Sequence, residues 1–114
     1  MLDAGMPVAC GSDWGPKNVF EHLALAVTHA FAGSGRRNDG PAQRVTRTEA
    51  LAMWTTTAGR VLGWDGVGTL APGSHADLIV VDRDPIDCPL DALPATRVLR
   101  TVVGGRTVYD AGGL

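Results

Sequence analysis

Residues 98–109, with the sequence VLRTVVGGRTVY, decide the fold that we predict for the end of this chain. Two runs rich in β-branched residues flank Gly104 and Gly105, and a two-residue glycine connection between such runs is a strong local signal of a β-hairpin. Upstream, residues 76–82 (ADLIVVD) form another β-branched run, which predicts a central strand. The last third of the chain is therefore predicted to contain three or four strands.

Two helical segments are predicted before these strands. Residues 18–32 carry apolar side chains at the spacing of an amphipathic helix, namely Phe20, Leu23, Ala24, Val27 and Phe31. Thr46 and Glu49 have the spacing of a capping box, so a second helix is predicted to begin there and to run to Gly63. Residues 55–57 (TTT) form helices weakly, which leaves open one kinked helix or two short ones.

The start of the chain predicts a buried strand that ends in a polar turn. Residues 6–10 (MPVAC) are apolar and are followed by Gly11, Ser12 and Asp13. In α/β barrels the catalytic groups lie at the carboxyl ends of the strands, and Asp13 stands at such an end. Taken alone, Asp13 is equally compatible with a turn or helix-capping role.

Composition and charge exclude several classes of protein. The 114 residues are 45% hydrophobic and 19% charged, which is typical of a globular domain or part of one rather than of a disordered chain. The net charge of −2 is not that of a nucleic-acid-binding protein. The apolar runs are too short for a membrane span and the first residues do not resemble a secretion signal, so we expect a soluble cytoplasmic protein without nucleic-acid or membrane partners.

The cysteines and histidines give little sign of a metal site by themselves. Cys10 and Cys88 lack the spacing of a disulfide framework or a zinc knuckle, and we expect reduced, half-buried thiols. His22 and His29 would lie about 10 Å apart along the first helix, too far to share one metal ion easily. His75 follows a Pro-Gly turn and is expected on a surface loop. The sequence lacks the motifs of serine hydrolases, P-loop proteins and dinucleotide-binding domains.

Several segments nevertheless form a consistent set when they are taken in order. They are residues 5–14 (GMPVACGSDW), residues 49–51 with Thr55 and Ala58, residues 68–82 (GTLAPGSHADLIVVD) and residues 102–109 (VVGGRTVY). Together they resemble the C-terminal end of the metal-dependent amidohydrolase superfamily, and in particular its amidohydrolase-3 type branch. The resemblance covers nearly all of the chain.

The resemblance implies an α/β fold in which a (β/α)8 barrel carries a smaller β-sandwich built from both ends of the polypeptide. Residues 1–66 would be the last barrel strand with its trailing helices, and residues 67–114 would be the C-terminal strands of the sandwich. Because a complete barrel needs ~200 or more residues, we interpret the chain as a fragment that is inactive when isolated.

The resemblance also implies roles for individual residues. Asp13 matches the family's aspartate after the eighth strand, which contacts a divalent metal, commonly zinc, and moves a proton from metal-bound water to the departing amine. Trp14 would either line a substrate pocket or pack against the first helix. Asp77 and Asp82 are expected to have turn and capping roles. The family's other metal ligands have no counterpart in this sequence, and a catalytic zinc normally needs three protein ligands, so the remaining ligands are expected on other polypeptide.

The implied function is hydrolysis of a C–N bond in a small amide, cyclic amide or N-formyl compound by metal-activated water. An alternative from another class is a non-catalytic α+β module that forms homo-oligomers or binds another protein. Unpaired strand edges and exposed apolar area would favour such pairing.

Overall fold

A computed structural model of the chain describes residues 1–13, 15, 17–30, 34–38, 40 and 43–112. The helices and strands in these residues are α1 (Val19–Thr28), α2 (Arg47–Trp54), α3 (Thr56–Val61), β1 (Leu78–Val81), β2 (Val98–Val103) and β3 (Arg106–Asp110). Short 3₁₀ turns occur at Leu2–Ala4 and Leu93–Ala95. None of the helices in the described part of the chain is long and apolar enough to cross a membrane.

Helix α1 begins where the sequence predicts and ends earlier. The side-chain oxygen of Asn18 accepts a hydrogen bond from the Phe20 N–H at 3.0 Å, which caps the first turn. The predicted end at residue 32 is wrong, because His29 adopts a left-handed conformation with φ of 47° and α1 ends at Thr28. Thr28 Oγ1 accepts from the Ala30 N–H at 3.2 Å and so stabilises this early exit. Residues 31 and 32 of the predicted helix lie outside the described residues.

The second helical segment consists of two short helices. Its predicted capping box is confirmed, since Oε2 of Glu49 accepts from the Thr46 N–H at 2.7 Å and the Glu49 N–H donates to Thr46 Oγ1 at 3.2 Å. Thr55 leaves the helical conformation, with φ of −126° and ψ of −97°, and separates α2 from α3. Gly68 packs directly against this break, because a Cβ atom on Gly68 would lie 2.3 Å from the carbonyl oxygen of Thr55.

The three strands form one antiparallel sheet in the order β1-β2-β3. The predicted hairpin is confirmed: Gly104 and Gly105 connect β2 to β3 with φ of 55° and 76°, the two positive angles of a type I′ turn. Asp77 Oδ1 accepts from the Gly104 N–H at 2.7 Å, which ties the hairpin turn to the residue before β1. Arg100 and Asp110 lie directly opposite each other on β2 and β3 and form an ion pair of 2.8 Å.

The chain divides into two compact units. The helix unit comprises Ser12–Leu51 and Asp84–Thr96, and the sheet unit comprises Met1–Gly11, Ala52–Arg83 and Arg97–Leu114. The buried apolar side chains of the described residues all belong to the helix unit; they are Phe20, Leu23, Ala24, Ala50 and Leu93. The described apolar side chains of the sheet unit are only half-buried or exposed.

The buried strand predicted at residues 6–10 is wrong for the described chain. These residues form no strand, and Met6, Pro7 and Ala9 are exposed. The Cys10 N–H donates instead to the carbonyl oxygen of Met53 at 3.0 Å. A parallel strand exists only when neighbouring strands satisfy its backbone groups, and the described residues place no strand beside this segment.

Candidate active site at Asp13

Asp13 lies in a tight turn that leads into α1. The Gly15 N–H donates to the carbonyl oxygen of Ser12 at 2.7 Å and closes the turn around Asp13. Asp13 has φ of 45°, a left-handed conformation that aspartate tolerates better than most residues because its short polar side chain can interact locally. The residue is exposed, so its carboxylate is accessible to a ligand or to solvent.

The imidazole of His22 lies beside this turn at Gly15. A Cβ atom on Gly15 would lie 3.2 Å from Cε1 of His22 and 3.0 Å from the carbonyl oxygen of Ser12. These distances are shorter than ordinary carbon contacts, so the close approach of ring and turn depends on the missing side chain of Gly15. His22 is half-buried at this position. From the sequence, His22 is placed on the first helix and has no assigned role.

The other predicted residues have separate positions in the chain. Trp14 lies outside the described residues. Asp77 supports the hairpin turn, as expected. His75 is exposed on the loop after the Pro-Gly turn, which confirms its predicted location. Cys10 and Cys88 are both half-buried, which confirms that part of their prediction.

Asp82 has the capping role that the sequence predicts, at the end of β1. Its carboxylate binds the Arg83 guanidinium at 2.9 Å, the Arg97 N–H at 2.9 Å and the Arg97 guanidinium at 3.1 Å. The hydrogen bond from Arg83, followed by that from the Arg97 backbone, holds the pKa of Asp82 far below its usual range. These bonds are structural, because they join the end of β1 to the residue that precedes β2.

Whether the described residues can hold a metal ion depends on how many ligands they bring together. Within the described ranges, no group of three or more His, Cys, Asp or Glu side chains is placed to bind a metal ion. Asp13 is exposed and could supply one oxygen ligand, whereas a catalytic zinc normally needs three protein ligands. The described residues therefore fit a metal site as the source of one ligand and do not form a complete one.

One long-range contact of the helix unit could not be predicted from the sequence. The Arg47 guanidinium donates to the carbonyl oxygens of Ile86, at 2.8 Å, and of Cys88. These partners lie about forty positions away and are backbone atoms, so no side-chain pattern in the sequence marks them. The contact fixes the loop after residue 84 on the first turn of α2.

A cleft of about 650 Å³ opens beside α1 in the helix unit. Its walls are largely apolar, with contributions from Ala24, Leu25 and Pro94, and Glu21 and Arg37 add charge. Asp13 is not among the described residues that line the cleft. The cleft and the Asp13 turn are therefore separate features of this unit.

Comparison with known proteins gives the context for this geometry. The sequence profile described as "Amidohydrolase family" matches residues 1–109. The chain is 37% identical to the N-substituted formamide deformylase of Arthrobacter pascens, over 99% of this chain and 21% of the deformylase. It is 33% identical to the 5-methylthioadenosine/S-adenosylhomocysteine deaminase of Symbiobacterium thermophilum, over 96% of this chain and 28% of the deaminase.

A solved structure also resembles this chain in three dimensions. The crystal structure of the atrazine chlorohydrolase of Arthrobacter aurescens, determined in complex with zinc, aligns with a TM-score of 0.67 and 27% identity. The alignment covers 96% of this chain and 26% of the chlorohydrolase. The chain thus spans between a fifth and a third of the length of these relatives.

Proposed function

Since the chain belongs to the amidohydrolase family, we propose that it is the C-terminal part of a metal-dependent hydrolase that cleaves a C–N bond in a small amide, cyclic amide or N-formyl compound. The observation that carries this proposal is the family match over residues 1–109, which includes the turn at Asp13. The deformylase and deaminase relatives support the substrate class, because the names of both describe the removal of a group joined through a C–N bond.

In the proposed reaction Asp13 moves a proton. Its exposed carboxylate accepts a proton from the attacking water as the water oxygen bonds to the substrate carbon, and then donates it to the departing nitrogen as the C–N bond breaks. A bound divalent metal, zinc in our proposal, would lower the pKa of that water and polarise the substrate. Asp13 would also be one of the metal's ligands, and the others would come from polypeptide outside this sequence.

The larger architecture is part of the same proposal. Residues 1–66 would supply the last strand and trailing helices of a (β/α)8 barrel, and residues 67–114 the last strands of a β-sandwich. Residues 6–10 form no strand in the described chain and would become one only beside barrel strands supplied by other polypeptide. The zinc-complexed relative supports a metal enzyme of greater length. We further propose a cytoplasmic location, and we expect the isolated chain to be inactive because one carboxylate does not complete a metal site.

The role of Asp13 can be tested in the full-length enzyme that contains this segment. Finding an in-frame coding sequence with a His-x-His metal motif before residue 1 is the first step. We expect Asp13→Asn to reduce kcat by about 10²–10⁴-fold, because the amide cannot accept the proton. Asp65→Asn, a change at an exposed turn aspartate, is the matched control and should leave kcat unchanged. Full turnover in the Asp13→Asn enzyme would refute the proposed role.

A second candidate function is supported by the sheet unit. Ile79, Val103 and Tyr109 are each about half exposed, at 47%, 50% and 51%. Ile79 and Tyr109 lie on either side of Thr101 in adjacent strands, and Val103 lies two residues further along β2 on the same face. Such a face favours the alternative of a non-catalytic module that self-associates.

A further inference from the structure

We propose that His22 is a positioning residue for Asp13: by packing beside Gly15, its imidazole keeps the hydrogen bond from Gly15 to Ser12 closed and so maintains the backbone conformation in which Asp13 presents its carboxylate. This inference rests on the proposed function, in which Asp13 moves a proton. It adds a residue from α1 that does not itself touch the reacting atoms.

The position of His22 on α1 directs its side chain toward this turn. Asn18 is the N-cap, so His22 is the fourth residue of the helix. Side chains in a helix point back toward its N-terminus, and the fourth residue commonly packs against the chain that enters the helix. The ring therefore lies beside the incoming turn at Gly15, where an added Cβ atom would be 3.2 Å from Cε1 of His22.

The turn needs such support because its backbone conformation is unfavourable. Asp13 has positive φ, which costs about 1–2 kcal/mol for a residue with a Cβ atom. One hydrogen bond of 2.7 Å, from Gly15 to Ser12, closes the turn. If the His22 ring were removed, Gly15 would lose its packing partner, and the turn could relax to conformations in which Asp13 has negative φ.

Helix α1 itself is fixed within the helix unit. Asn18 Nδ2 donates to the carbonyl oxygen of Pro94 at 2.8 Å. Phe20 and Leu23, which lie close to His22 in the sequence, are buried. The imidazole is thus attached to a rigid helix, whereas Asp13 lies in an exposed turn. Positioning of an exposed catalytic group by a rigid neighbouring element is expected to affect kcat more than KM, because small displacements reduce the rate steeply.

The first test measures the turn directly and needs neither metal nor activity. Solvent exchange of the Gly15 amide is followed by NMR in the full-length enzyme, labelled with 15N-glycine and before metal is added. We expect His22→Ala to accelerate this exchange by about tenfold, because the hydrogen bond to Ser12 opens more often. His22→Phe keeps a ring against Gly15 and should restore slow exchange. His29→Asn, which replaces a histidine on the same helix and tolerates the left-handed conformation there, should leave it unchanged.

The second test links the turn to the reaction in the full-length enzyme. We expect His22→Ala to lower kcat by about 10–100-fold with little change in KM, His22→Phe to recover most of the loss, and His29→Asn to behave as the unaltered enzyme. Should His22→Ala fail to fold, Gly15→Ala supplies the same test, because its Cβ atom would push the ring and the turn apart.

The two proposals fail in different ways. Unchanged Gly15 exchange in His22→Ala overturns the positioning role, whatever the activity. Unchanged kcat in His22→Ala, with Asp13→Asn inactive, also overturns it while the proposed function stands. Full activity of Asp13→Asn instead refutes the proton-transfer role of Asp13 and with it the catalytic importance of the turn, and the exchange measurement then shows whether His22 still supports the turn.

Discussion

At the level of single residues, short polar side chains decide where the backbone of this chain leaves a helix or a strand. The capping box of Thr46 and Glu49 could be predicted because both partners lie within four residues and bond to each other's backbone. The early end of α1 could not, because it depends on His29, a residue type that only occasionally adopts positive φ. Hydrogen-bond partners that are close in the sequence can be predicted from it. The left-handed conformation of His29, which the contact with Thr28 supports, is known only from the structure.

The bonds of Asp82 predict a pH dependence of stability. Because these bonds lower the pKa of Asp82 in the folded chain, its stabilising effect is fully present above the unfolded pKa of about 3.9 and is lost as the pH falls toward the lower folded pKa. We expect Asp82→Asn to unfold at a lower temperature than the unaltered chain at pH 7. The difference should shrink progressively below pH of about 4, because the unaltered chain then loses the same interactions.

Thermal unfolding followed by circular dichroism between neutral and acidic pH measures this difference. Asp65→Asn, in an exposed turn, is the control and should unfold with the unaltered chain throughout. A gap between Asp82→Asn and the unaltered chain that stays constant down to the most acidic pH would show that the carboxylate charge of Asp82 does not stabilise the fold.

At the level of elements, the break between α2 and α3 combines a local tendency with a distant contact. The threonine run at residues 55–57 left open one kinked helix or two short helices, and the structure has two short helices. The choice between one kinked helix and two short helices, which the sequence leaves open, depends on Gly68. This residue is thirteen positions after Thr55, and its backbone packs against the Thr55 carbonyl group. The strand expected at residues 6–10 also depends on distant partners, and the described residues do not provide them.

The contact between Gly68 and Thr55 predicts a large effect of a small substitution. Gly68→Ala places a Cβ atom 2.3 Å from the Thr55 oxygen at a residue with φ of 77°. The left-handed conformation costs about 1–2 kcal/mol and the overpacking about 1–3 kcal/mol, so the free energy of unfolding should fall by about 2–5 kcal/mol.

Gly73→Ala is the matched control for this prediction. Gly73 also has positive φ, of 89°, but a Cβ atom there would meet nothing within 4 Å. We expect Gly73→Ala to lower the free energy of unfolding only by the cost of the left-handed conformation, about 1–2 kcal/mol. Denaturant unfolding of the two variants compares them directly, and equal losses would mean that close packing at Gly68 does not hold the helix break in place.

At the level of the whole molecule, the two units differ in how far they bury their apolar side chains. The buried apolar side chains of the described residues lie in the helix unit, and the sheet unit exposes Ile79, Val103 and Tyr109 on one face. The sequence predicted the strands of this sheet and their hairpin, since turn and strand signals are local. The proposed barrel strand could not be predicted in the same way, because its neighbouring strands would belong to other polypeptide.

The exposed face and edges of the sheet predict how the isolated chain behaves in solution. Within the described residues β1 and β3 are the edge strands, and each leaves backbone groups without a strand partner on its outer side. In the isolated chain a second copy is the available partner, so we expect association that increases with concentration in sedimentation velocity.

Ile79→Lys and Val103→Lys should each weaken this association, because a charge on the apolar face opposes its burial. Thr107→Lys, an exposed position paired with Val102 on the opposite face, is the control. Equal effects of all three lysines would argue against this face as the contact. Monomers at every concentration would argue against the self-association alternative and would leave the hydrolase proposal to be judged on Asp13.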